Sequence, residues 1–129
     1  METPVPVQPE PRLLAREAAA VIRQLNHVTL DQASMPYAGE VSATVLELIG
    51  LVDRLPQTLS QLEAGLRAVE AADGIRLDHD GDLTAEVNAA AKGLSDASAA
   101  LDAVSKALGE ASAPLFHMGA PYTPEGDDQ

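Results

Sequence analysis

The sequence predicts an all-α fold, an antiparallel three-helix bundle built on a long helical hairpin, and three observations carry that expectation. First, apolar residues recur at alternating steps of four and three through Leu83, Val87, Ala90, Leu94, Ala97, Leu101, Val104, Leu108 and Ala111, a seam of about four heptads. Second, the same alternation runs from Val41 to Val69. Third, 46% of the residues are hydrophobic, yet the chain holds only one Phe, two Tyr and no Trp. A core restricted to Leu, Val, Ile and Ala suits helix on helix better than a sheet, whose strands favour aromatic and β-branched side chains. The 129 residues fit one domain, expected over 12–118, with flexible ends.

At the N-terminus, Pro4, Pro6, Pro9 and Pro11 lie too close together for helix, so residues 1–11 read as a flexible proline-rich arm. Pro11 suits a first helical turn, because its missing N–H has no intrahelical partner there in any case. A first helix over about 12–30 carries Leu14, Ala18, Val21, Leu25 and Val28 as an amphipathic stripe, with Arg12, Arg16 and Arg23 aligned on another face. Its stripe is expected to complete the bundle, and its arginines to form a solvated face. Pro36 and Gly39 mark the break that follows.

The second helix is expected over 38–72. Its stripe of Val41, Val45, Leu48, Val52, Leu55, Leu59, Leu62, Leu66 and Val69 keeps phase straight through Pro56. Two helices joined by an arbitrary loop would usually lose that phase, so one helix kinked near Pro56 is expected, with two helices meeting at Leu55 as the alternative. Leu46, Ile49 and Leu51 widen its apolar face.

Residues 73–82 (DGIRLDHDGD) are the turn, with Gly74 expected to end one helix and Asp82 to cap the next. The third helix is expected over 83–113. Together the two make arms of about 35 and 31 residues, on the order of 45 to 50 Å each. Beyond Pro114, the pattern places Leu115, Phe116 and Met118 back against the bundle end, with 119–129 a disordered acidic tail. In outline the hairpin is similar to the small secreted hairpin proteins of type VII systems. Where those carry a tryptophan-x-glycine turn this chain reads Asp73, Gly74, Ile75, and Tyr122 is followed four residues on by Gly126 instead of an acidic residue. No family is assigned.

The charge narrows the function classes. A net charge of −12 with eight Lys and Arg opposes direct binding to nucleic-acid phosphates or anionic lipid, which need a basic footprint. No apolar run approaches the length of a membrane span, and a cytoplasmic location is expected. There is no cysteine, and the three histidines, His27, His79 and His117, share no metal-ligand spacing. Asp78, Asp80 and Asp82 alternate as in the opening half of a calcium loop, but Leu83 stands where such a loop needs glycine and Ala89 where it needs a bidentate carboxylate. They remain weak metal candidates, and helix capping accounts for the same letters.

No residues converge as a catalytic set, so no enzyme activity and no cofactor are expected. The expected function is a helical interaction or structural protein working through an apolar face, with a protein partner or as a homodimer. Leu46, Ile49, Leu51, Leu94 and Leu101 are the expected partner-binding residues. The alternative is an acidic mimic of DNA that inhibits a nucleic-acid-binding protein, resting on the carboxylates gathered between Glu70 and Glu86. Mimicry needs acids in phosphate-like rows, and Lys92 and Lys106 interrupt any such row.

Overall fold

A computed structural model describes residues 8–119. The expected arm and tail fall mostly outside that range, at 1–7 and 120–129. Among the described residues the fold is all-α, with three long helices, one short 3-10 turn and no strand. The chain divides into two compact units with the boundary between Pro36 and Tyr37, where the sequence pattern suggests one domain over 12–118.

The first unit holds helix α1, Pro11–Thr29, followed by the 3-10 turn Gln32–Ser34. Pro11 occupies the first turn, and Arg12 pairs with Glu10 at 3.0 Å beside it. The helix ends where the Thr29 hydroxyl donates back to the Leu25 carbonyl at 2.9 Å, a local bond that competes with continuing the helix. Asp31 then caps the 3-10 turn by accepting from the Ala33 N–H at 3.0 Å. Within this unit the stripe is left largely uncovered, with Leu14, Val21 and Val28 exposed.

The second unit is a hairpin of α2, Ala38–Ala71, and α3, Leu83–Phe116, packed along their lengths. Both ends of its turn are fastened locally. Asp82 accepts from the Ala85 N–H at 3.3 Å, the N-cap expected of it. At the end of α2 the Gly74 N–H donates to the Val69 carbonyl at 2.8 Å and the Asp73 N–H to the Glu70 carbonyl at 3.0 Å, the paired bonds of a Schellman motif. The left-handed position of that motif belongs to Asp73, with φ 55°, and not to Gly74.

α2 is one continuous helix with Pro56 inside it. Pro56 gives the Val52 carbonyl no donor, and in the turn before it the Arg54 guanidinium adds a bond to the Gly50 carbonyl at 2.7 Å. α3 likewise continues through Pro114 to Phe116, three residues past the expected end. A proline in the last turn removes one hydrogen bond where carbonyls are already running out of partners, and continuing the helix puts Leu115 in line with Leu108, half-buried. The C-terminal residues do not fold back as the pattern suggests, since Phe116 is 78% and Met118 51% exposed.

The seam between the two helices differs in phase from the apolar letters. On α3 its covered residues are Val87, Ala91, Leu94, Ser98, Leu101, Ser105, Leu108 and Ser112. Val87 and Ala91, each 3% exposed, are the two buried residues among those described. Ala90, Ala97, Val104 and Ala111, expected in the seam, are exposed. On α2 the half-buried residues after Leu59 are Glu63, Leu66 and Glu70, while Leu62 and Val69 are exposed. The helices therefore meet through a row of large residues and a row four residues further on that is Ala or Ser on α3, small enough for close approach.

Candidate functional site

This phase gives the hairpin two unlike sides. One is polar and laced across. Arg67 donates to Asn88 Oδ1 at 3.1 Å, and Ser105 donates to Asp53 Oδ1 at 2.5 Å. Between these bonds a cleft of about 170 Å³ is lined by Leu59, Ser60, Glu63, Leu94, Ser95 and Ser98. It is smaller than the several hundred Å³ usual for an organic ligand. Glu63 is also drawn loosely towards Arg67, at 3.9 Å.

The opposite side carries the residues one position before or after those in the seam. At 100° per residue, in helices running antiparallel, the stripe of Leu48, Leu55, Leu62 and Val69 on α2 and the stripe of Ala90, Ala97, Val104 and Ala111 on α3 flank the seam on the same side. The bonded pairs Arg67–Asn88 and Asp53–Ser105 mark the other side, which fixes this assignment. Next to the stripes lie Thr44, Leu51, Thr58 and Gly65 on α2, and Gly93, Ala100 and Ala107 on α3. From Leu48 to Val69, and along α3 from Ala90 to Ala111, this side presents no charged residue. Leu51 is 38%, Leu62 48%, Val69 46% and Val104 44% exposed. Solvated faces of helices are normally polar, and this uncharged strip runs along two adjacent helices.

The expected partner-binding residues separate in the structure. Leu94, Leu101 and Ile49 are half-buried in the seam between α2 and α3. Leu51 borders the uncharged side, and Leu46, 52% exposed, lies on the polar side. Leu62, Val69 and Val104 were legible as apolar letters, but their exposure follows from the seam phase, which the letters alone misplace by one residue.

The acidic turn does not converge. Asp78 is 96% exposed in its side chain, Asp82 is engaged in capping, and His79 Nδ1 faces its neighbour's carbonyl, the Asp80 oxygen, at 2.9 Å. Among the described residues no group of three His, Asp or Glu side chains is placed to hold a metal ion. The outer face of α3 mixes signs: Lys92 pairs with Asp96 at 2.7 Å, and that hydrogen bond, with the carboxylate's charge, raises the ammonium pKa above its usual value. On α1, Arg16 and Arg23 flank Ala19 and Ala20 in a shallow patch on a single helix. No helix among the described residues is long and apolar enough to cross a membrane.

Fold and surface together define an all-α protein whose conspicuous feature is an uncharged hairpin face. Comparison of the chain with protein-family models, with curated proteins and with solved structures finds no match.

Proposed function

We propose that this is a non-enzymatic interaction protein that works through the uncharged face of its α2–α3 hairpin, in self-association or in binding another protein. The observation that carries the reading is the exposure of Leu51, Leu62, Val69 and Val104 on one charge-free side, against a polar, hydrogen-bonded opposite side. Leaving such a strip in water costs about 25 cal/mol for each Å² of apolar surface, a cost that docking removes. The acidic remainder of the molecule keeps it soluble and discourages indiscriminate association.

The test is fluorescence of the apolar dye anilinonaphthalene sulfonate with the full-length chain at high dilution, paired with its mass at high concentration. Dye binding that falls in Leu62→Asp and Val104→Asp, with helix content unchanged, supports the reading. Absence of both dye binding and association would mean that the face is covered within the chain, and the reading would be wrong.

A further inference from the structure

We infer that the occupant of the uncharged face is a second copy of this chain, so that two hairpins form a four-helix bundle; this deepens the proposed function and rests on it. The α2 half of the face is a ridge of large side chains, Leu48 and Leu55 half-buried at the edge of the seam and Leu62 and Val69 exposed, whereas the α3 half is mostly alanine and glycine. A surface that is ridge on one side and trough on the other is complementary to itself under one two-fold rotation. With the axis parallel to the helices, α2 of each copy lies over α3 of the other, large over small, and every neighbouring pair of helices is antiparallel. With the axis across the helices, ridge meets ridge and trough faces trough, leaving the alanines unfilled.

The register follows from the hairpin itself. A two-fold parallel to the helices preserves height, so each α2 residue meets the other copy's α3 at the level it faces in its own hairpin. Arg67 is level with Asn88, and Asp53 with Ser105. Leu62 therefore sits over the stretch 93–97 of the other copy, and Leu55 over 100–104. These stretches offer Gly93, Ala97 and Ala100 as the receiving small residues.

Area decides whether such a pair is stable. The span from Leu48 to Val69 is about 32 Å long, and two helices side by side are about 18 to 20 Å wide. That is roughly 600 Å² per copy and 1,200 Å² in total, the lower bound of stable protein interfaces. With −12 charges on each copy acting against it, the dimer is a concentration-dependent one that tightens as salt screens the repulsion.

The chain contains no cysteine, which permits a clean test. Light scattering on the full-length chain, from micromolar to near-millimolar concentration at two salt levels, should show the mass rising from 13.4 kDa towards twice that value, with a lower midpoint at higher salt. Leu62→Asp should raise the midpoint about tenfold or more, while Leu46→Asp, on the polar side, leaves it unchanged. Mixed and oxidised, a Leu62→Cys chain and an Ala97→Cys chain should give the mixed disulfide in preference to either self-paired product. A monomer at all concentrations that still binds the dye when dilute would overturn the second copy and leave the proposed function standing. A monomer that binds no dye would remove both. A dimer indifferent to Leu62→Asp, or one that self-pairs Leu62→Cys, would also overturn this geometry.

Discussion

Ser105 on α3 donates its hydroxyl to Asp53 Oδ1 on α2 at 2.5 Å, across 52 positions of sequence. The bond is possible because Ser105 belongs to the small-residue row of the seam, where a larger side chain would hold the helices apart. Asp53 is exposed, so solvent competes for its carboxylate and the bond contributes modestly. A double-mutant cycle of Asp53→Ala and Ser105→Ala, read by chemical denaturation, should give a coupling of about 0.5 to 1 kcal/mol. Zero coupling would mean that the two groups are independently solvated.

The small row also sets a steep contrast between two alanines separated by one residue. Ala91 is 3% exposed and lies in the seam, while Ala89 is exposed. Ala91→Leu should destabilise the fold by about 1 to 3 kcal/mol, because the added methylenes must push the helices apart. Ala89→Leu should stay within about 0.5 kcal/mol of the parent. Thermal denaturation of the two variants checks the seam phase directly, and equal effects would contradict it.

Much of this fold was readable from the letters. Leu83 to Leu108 announced α3, the phase preserved through Pro56 announced α2 as one helix, and Asp82 announced its cap. The sequence pattern failed where side-chain size mattered more than polarity. Ser98, Ser105 and Ser112 score as polar, so the pattern assigned their places to Ala97, Val104 and Ala111. At a close helix contact a serine is small first, and its hydroxyl finds an acceptor, as Ser105 does in Asp53. Glu63 and Glu70 hide the phase on α2 in the same way: their stems lie half-buried beside the seam, as long polar side chains can. Most of the uncharged face was hidden for the same reason, since its stripes are the apolar residues that the pattern assigned to the interior; Leu51 at its border was the exception.

Pro56 tests whether α2 is a single helix. In a continuous helix the proline deprives the Val52 carbonyl of its donor and crowds it with the ring, a penalty of about 3 kcal/mol before relaxation. Pro56→Ala should therefore stabilise the chain by about 1 to 3 kcal/mol, reduced by the packing that a half-buried ring gives up. Were Pro56 the first residue of a separate helix, the same substitution would change little, since a first-turn proline loses no hydrogen bond. Urea denaturation distinguishes the two.

Among the described residues the left-handed residue of the turn is not its glycine. Asp73 adopts φ 55° with a carboxylate at the negative end of the α2 dipole, two unfavourable features at one position. Asp73→Gly relieves both and should raise stability by about 0.5 to 1 kcal/mol. Gly74 needs its missing side chain for a different reason. A Cβ there would stand 2.9 Å from Val69 Cγ1 and 3.3 Å from the Val69 carbonyl, the group that accepts its own N–H. Gly74→Ala should therefore destabilise the chain while Asp73→Gly stabilises it. Opposite shifts in melting temperature for these neighbouring substitutions would establish Asp73, and not Gly74, as the residue at which the backbone reverses.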